Sequence, residues 1–535
     1  REQLERYRAE GSLQQRAAAA RRLGNHRTAP HLVERFAQHV GESKGNGTGS
    51  TKGLTSTGAQ RMFTLLIAFS DYPGYTAPAM VADRIYGDGS SWLAPYESLT
   101  EYYRRSSYGL LDIQGSTLGW YTTPYPRDSV QETTSGREAV IREAVAYFDA
   151  LGHDFSQYDN DGDGEIDYFA VVWTGLHQDW AEFWWGYQTY FQNRSYRIDG
   201  KSLGAYSWQW EAWNWPGTFT PRVLIHETGH ALGLPDYYDY DDSIGPMGGV
   251  GGLDMMDGNW GDHNCFSKFL LGWLEPEVHN QGTHQLLLAA SHGEAEAVLA
   301  MHGDPVTDPY GEYFMVQYRR RLGNDLQFPN DGLLIWHLDA RLAAPGEFLC
   351  DNSYTEHKLL RLMEADGLEE IEQDRSADAG DFYTPGDAIG NDTAPSSHRY
   401  DGAPTNLLID GITTAAQQMG FRVSLGDGCA LWCEAEADPT AWPGVPTLFD
   451  GSLDPANCQG SPVIEWQFGD GTVAGDSSVG HGFTLPGSYD WSLETSLGDN
   501  FCSRQGSILV CTDPRCWQWR AGAPMSVERG MHAVA

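Results

Sequence analysis

The chain is short of positive charge, of long apolar runs and of several familiar catalytic fingerprints, and each shortage removes a class of function. Its 535 residues carry 35 Lys+Arg against 73 Asp+Glu, a formal net charge of −38. Such a surface repels nucleic-acid phosphates and anionic lipid heads, which excludes nucleic acid as a partner. No stretch reaches the ~18 apolar residues that a membrane helix requires, so no transmembrane segment is expected. The GxSxG elbow, the phosphate-binding loop and the dinucleotide fingerprint are all missing. The chain opens at Arg1 without an apolar leader, and a signal peptide is expected to have been removed. Six of the eight cysteines (Cys265, Cys350, Cys429, Cys433, Cys458, Cys502, Cys511 and Cys516) fall in the last fifth of the chain. Neither 429/433 nor 511/516 has redox-pair spacing. A four-thiolate zinc site stays open, but disulfides in an oxidising compartment are the expected use, and with them a secreted, extracellular location.

What is present is Gly, aromatic residues and acid, a mixture that suits a folded, loop-rich protein of two to four domains. Residues 1–57 read as a helical N-terminal segment and linker. They hold no cysteine, and a removable pro-segment and an ordinary helical hairpin are both open readings. From Met62 the pattern changes. Phe63 to Phe69 and Asp167 to Trp173 read as buried strands, and Leu110 to Ile113 as a further strand. Leu99 to Arg105 and Arg137 to Leu151 read as helices, the second with Val140, Ile141, Ala144, Val145 and Phe148 on one face. Alternation of this kind predicts an α/β (α+β) catalytic domain over 58–278. The helical signal then fades, and 279–428 is expected to be a β-rich extension. Residues 429–516, with Trp466-Gln467-Phe468-Gly469-Asp470-Gly471-Thr472 and later turn signals, read as a small β-sandwich. Residues 517–535 vaguely resemble the opening of a kelch repeat and are expected to start a further, truncated segment.

The chemistry concentrates in His226-Glu227-Thr228-Gly229-His230-Ala231-Leu232-Gly233-Leu234-Pro235-Asp236. On a helix, residues four apart share a face, so His226 and His230 can hold one zinc through ring nitrogens. Glu227 beside them is placed to act as general base on a metal-activated water. Gly233 is expected to end the helix, and Asp236 then arrives as the candidate third ligand, with Asp239, Asp241 and Asp242 as rival carboxylates. Some twenty residues on, Met255 and Met256 sit in a Gly/Asp-bounded turn. A methionine there gives the ligand cage an apolar floor, and Met256 is preferred.

Acid on this scale also raises cation binding. Asp159-Asn160-Asp161-Gly162-Asp163-Gly164-Glu165-Ile166-Asp167 alternates oxygen donors around glycine turns, close to a calcium loop. The twelfth position is Ala170, not Glu, so a shortened loop of Asp159, Asp161 and Asp163 closed by Asp167 is expected, against the alternative of a solvated acidic turn. His337 and Asp339 lie in an apolar strand-like run and read as structural.

These residues resemble the immune inhibitor A family of secreted bacterial metallopeptidases, metzincins with the signature HExxHxxGxxD and a Met-turn. The likeness runs from about 58 to 425. It includes Ser98 to Gly109, Gly119-Trp120-Tyr121, Leu271-Gly272-Trp273, Gly332 to Asp339 and Glu364-Ala365-Asp366-Gly367. The resemblance implies a metzincin-like domain with zinc on His226, His230 and Asp236, and Glu227 as general base. It also implies structural calcium and protein or peptide substrates. The chain departs from the family in an aromatic insert, Trp180 to Trp215. The C-terminal unit resembles a polycystic-kidney-disease (PKD) domain, with Gln467 in an otherwise acidic position. Such modules imply a spacer, or binding to a polymer or cell surface. The expected function is secreted zinc endopeptidase. The alternatives are a catalytically inactive adhesin on the same fold and a thermolysin-like enzyme with a later glutamate ligand.

Overall fold

The apolar run from Met62 lies in β1 (Gly58–Ala68), where every residue from Met62 to Ala68 is buried. Continuous burial is what a parallel strand covered on both faces requires. A computed structural model describes residues 2–39, 53–89, 96–212, 218–240, 249–300, 310–353, 357–373, 375–402, 404–425, 430–456, 461–497 and 500–512. Residues 517–535 and most of the predicted linker lie outside them. The chain forms two compact units, Arg1–Gly426 and Asp427–Ala535.

In the first unit, β1 is flanked by β2 (Leu111–Thr122) and β3 (Glu165–Trp173), both parallel to it. β5 (Ser202–Trp210) continues the parallel sheet beside β3, and β4 (Tyr187–Tyr190) closes it as an antiparallel edge. The order is β2-β1-β3-β5-β4. Alternation divides the strand residues between two cores. Phe63, Leu65 and Ile67 pack with Val140, Ile141 and Val145 of α6 (Thr134–Ala150). Met62 and Leu66 face the opposite core, with residues of α4 (Pro78–Tyr86), α5 (Leu99–Ser106) and α7 (Arg222–Leu232). The helical N-terminal segment is three helices: α1 (Glu2–Glu10), α2 (Leu13–Arg21) and α3 (Pro30–His39). Leu32, Val33 and Phe36 of α3 join the α7 core, so this segment packs into the unit.

After α8 (Met255–Gly258) and α9 (Cys265–Leu270), the described residues hold strands and short 3-10 turns. β6 (Glu277–His279), β8 (Val298–Ala300), β9 (Glu312–Arg319), β10 (Gly332–Asp339) and β13 (Leu360–Leu362) form one sheet, ordered β13-β10-β9-β8-β6. β7 (Gly282–Ala289), β14 (Leu407–Asp410) and β15 (Gln418–Leu425) form another, and β11 (Leu342–Ala344) pairs with β12 (Glu347–Phe348). The five- and three-stranded sheets share a core that includes Phe314, Ile335, Phe421 and Val423.

The second unit has a three-stranded sheet of Ala430–Ala437, Thr447–Ala456 and Ser478–His481. Its five-stranded sheet is built around Gly487–Leu497 and Asn500–Val510. Phe449 from the first sheet meets Trp466 and Trp491 from the second in one core, the arrangement of a sandwich. Cys433 is disulfide-bonded, whereas Cys265 and Cys350 are thiols. Cys429, Cys458 and Cys516 lie outside the described residues. No helix among the described residues is long and apolar enough to cross a membrane.

Candidate metal centre

α7 is buried from Leu224 to Leu232, polar residues included. The helix stops at Gly233, whose φ of 107° is left-handed and open to glycine at little cost. A Cβ at Gly233 would also stand 2.8 Å from the Cβ of Leu32. The turn carries the chain through Pro235 and brings Asp236 back under the helix.

His226, His230 and Asp236 are all buried, and their ligand atoms lie within 4.8 Å of one another. The His226 Nδ1 is 2.8 Å from the Met255 carbonyl, and the His230 Nδ1 is 2.8 Å from the Leu234 carbonyl. A carbonyl only accepts, so each Nδ1 carries the proton and each Nε2 presents a lone pair. Those Nε2 atoms are 3.0 and 3.2 Å from one atom, Asp236 Oδ1, which makes no hydrogen bond of its own. Three electron-pair donors converging in a dry site repel one another unless a cation stands between them. Burial disfavours a charged His226 ring, yet the Asp236 carboxylate outweighs it and raises the ring to about 9, where it binds a proton that a metal ion taking the Nε2 lone pair displaces. Burial likewise opposes the Asp236 charge, and the two histidines pull that carboxyl well below its usual range. Two imidazoles and one carboxylate form a borderline donor set that fits a transition-metal dication.

Glu227 is buried beside them, and burial pushes its carboxyl up, against the pull of His226 and His230. The Gln188 main-chain N–H donates to this carboxylate, and Oε2 has no partner. Asp254 caps α8 by accepting from the Met256 amide at 2.7 Å. This turn orients Met255 so that its carbonyl holds His226. Met256 lies against α7, and a Cβ on Gly229 would sit 2.4 Å from its sulfur. The two methionines therefore play different parts. Met255 orients a ligand through its backbone, and Met256 supplies the apolar packing. Three partners gave no signal in the sequence. The Tyr240 hydroxyl donates to Asp236 Oδ2, the Asn25 carbonyl accepts from the Asp236 amide at 2.7 Å, and Gln188 holds Glu227 from edge strand β4.

A cleft of about 400 Å³ opens over this group. Trp180, Trp185, Tyr187 and Trp210 line it, so the aromatic insert forms a wall, and Leu13, Ala20, Leu23 and Asn25 of the N-terminal segment line it too. Arg16 donates to the Trp180 carbonyl and pairs with Glu182 at 2.8 Å. Asn25 also donates to the Gln188 carbonyl at 3.3 Å, on the strand that bounds the cleft.

Asp239 lines the cleft outside the ligand group, and Asp241 and Asp242 lie outside the described residues. Asp159, Asp161 and Asp163 bring oxygens together, and the Lys201 ammonium stands 2.6 Å from Asp159. Asp167 is not part of that group. Its Oδ2 accepts from the Asn160 amide at 2.7 Å and side chain at 2.8 Å, and burial raises it to about 7. His337 is 2.9 Å from Glu312 and stacked between Phe314 and Tyr400, while Asp339 pairs with Arg341 and His357.

No family model matches the chain. It is 25% identical over 193 residues to Immune inhibitor A of Bacillus thuringiensis subsp. alesti, covering 29% of this chain and 28% of that protein. The match thus spans under a third of that relative's length. Two solved structures cover 15% of it. They are the PKD1 domain from the Vibrio cholerae metalloprotease PrtV (18% identity, 95% of that chain, TM-score 0.13) and the PKD1 domain of Vibrio anguillarum Epp (18%, 96%, 0.13).

Proposed function

We propose that this chain is a secreted zinc-dependent endopeptidase of the metzincin type, with His226, His230 and Asp236 as zinc ligands and Glu227 as general base. The observation that carries this reading is the convergence of two Nε2 lone pairs on an otherwise unpartnered, buried Asp236 oxygen. When bound, zinc supplies Lewis acidity, polarising a carbonyl and making water nucleophilic near neutral pH. The protein's own groups do the rest. Glu227 Oε2 takes the proton of the attacking water and passes it to the leaving amine, while the Gln188 amide keeps the other oxygen in place. A carboxyl raised by burial is a better proton acceptor and a usable donor. The outer edge of β4 pairs with the backbone of an extended peptide, and the tryptophan wall takes apolar side chains.

The N-terminal segment covers that edge and lines the cleft, which supports reading 1–57 as a pro-segment that leaves before substrate enters. N-terminal sequencing of active secreted protein tests this, and an active species still starting at Arg1 removes the idea. Asp159, Asp161 and Asp163 are read as a calcium loop, and the C-terminal sandwich as a PKD-like module that binds polymer or a cell surface. Casein digestion by wild type and Glu227→Ala, with metal analysis of both, tests the central reading. The expected result is zinc in both proteins and activity lower by at least about a hundredfold in the variant. Full activity without Glu227, or no zinc in the wild type, overturns it.

A further inference from the structure

Strand β10 ends at Asp339, and three consecutive pieces of chain meet there. The β11–β12 hairpin doubles back, closed by the Leu349 amide donating to the Arg341 carbonyl at 2.6 Å, and returns Cys350 beside the strand end. His357 then enters β13, which pairs with β10, and the Asp339 amide donates to the Leu359 carbonyl at 3.1 Å. Asp339, Cys350 and His357 each bring one ligand-type atom within 4.8 Å of the others. Asp339 is fully buried, and the other two are partly exposed.

The His357 Nε2 bonds to Asp339 Oδ2, the same contact of ring nitrogen and carboxylate that marks the α7 centre. The His357 ring is held from behind. It stacks on Tyr400 at 4.1 Å, and Tyr400 stacks in turn on His337 at 4.2 Å. Arg341 spans the carboxylate, through Nε to Oδ1 at 2.7 Å and through Nη2 to Oδ2. Its side chain is 47% exposed, so the guanidinium can swing off Oδ2 into water.

An ion-pair cluster of Asp339, Arg341 and His357 needs no thiol, because a thiol is a weak donor and a weak acceptor. Cys350 is nonetheless a thiol, and a partly exposed one, in a chain whose Cys433 is disulfide-bonded. Conditions that oxidise one cysteine attack an accessible thiol unless something ligates or covers it.

We propose that Cys350, His357 and Asp339 hold a second dication of the zinc class, through the thiolate sulfur, a ring nitrogen and a carboxylate oxygen. Sulfur and nitrogen donors favour such an ion over calcium or magnesium, which take oxygen. Binding releases the thiol proton to solvent. The ion clips the hairpin to the end of β10, away from the α7 centre and independent of its chemistry.

Cadmium titration of the full chain, with zinc at α7, tests the proposal, because a cadmium–thiolate bond absorbs in the ultraviolet and the imidazole–carboxylate donors at α7 give no such band. Cys350→Ser and His357→Gln are compared with Cys265→Ser. Both sites of change are partly exposed, so these variants keep the fold. The expected result is a saturable band in wild type and in Cys265→Ser, lost in Cys350→Ser, with cadmium bound at least about tenfold more weakly in His357→Gln. Zinc competes for the band, and added zinc raises the Tm of wild type but not of Cys350→Ser. An equal band in Cys350→Ser, equal affinity in His357→Gln, or a Cys350 found in a disulfide by peptide mapping overturns the proposal.

Discussion

Two parts of the first unit gather ligand-type atoms by opposite means. In the α7 centre, two imidazoles and one carboxylate converge from a regular helix and the turn that ends it, and each histidine is oriented by a backbone carbonyl. In the 364–381 loop every donor is an acidic oxygen on irregular chain, and backbone amides temper the charge. The first arrangement fixes geometry and keeps net charge low, as catalysis requires. The second tolerates variable geometry and accumulates charge. One carboxylate removed should therefore abolish the first arrangement and relieve repulsion in the second.

That contrast breaks most sharply at Asp236. Asp236→Ala leaves two imidazoles facing a void, and zinc content and casein hydrolysis are both expected to fall, the latter by about a thousandfold or more. Metal analysis and rate measured on the same sample check this. A variant that keeps zinc and activity would move the third ligand to another carboxylate.

The difference between the sites also explains what the sequence disclosed. Helical periodicity puts residues four apart on one face, so His226 and His230 were legible as a pair, and Gly233 marked where the chain turns to deliver Asp236. The buried strands of the central sheet were legible for a similar reason, since parallel strands covered on both faces write continuous apolar runs. No period links Glu364, Asp366 and Asp381. Among the described residues between the last two there are only short 3-10 turns, and the fold alone closes them on each other. Tyr240 and Asn25 were illegible in the same way, because a hydroxyl and a backbone carbonyl carry no spacing rule. The Asp159 turn stands between the cases. Its alternating acids are plain in sequence, but Lys201, which stands on Asp159, comes from far along the chain.

The support around α7 gives two smaller tests of its rigidity. Tyr240→Phe removes the hydroxyl that holds Asp236 Oδ2, and zinc affinity is expected to fall about 10–100-fold while zinc at saturation restores most activity. Competition with a chelator reads the affinity, and unchanged affinity would show that Asp236 needs no such anchor. Gly229→Ala drives a methyl into the Met256 sulfur, at a cost of about 1–3 kcal/mol by denaturant unfolding. Gly229→Ala with Met256→Ala should recover part of that loss. If it does not, the clash lies elsewhere.

The smallest expected effect probes the other half of the comparison. Asp381 titrates at about 7 in the folded chain, above the ordinary carboxylate value near 3.9. Folding therefore favours its protonated form. Below about pH 4 both states are protonated and the group contributes nothing. As pH rises toward 7 the unfolded chain ionises first, so the folded state loses stability, and the full penalty stands above about 7. Asp381→Asn carries no such penalty. In chelator, the Tm of the variant relative to wild type should rise by about 2 °C or more between about pH 5 and pH 8. A Tm difference that stays flat with pH in chelator would mean that Asp381 is hydrated rather than buried.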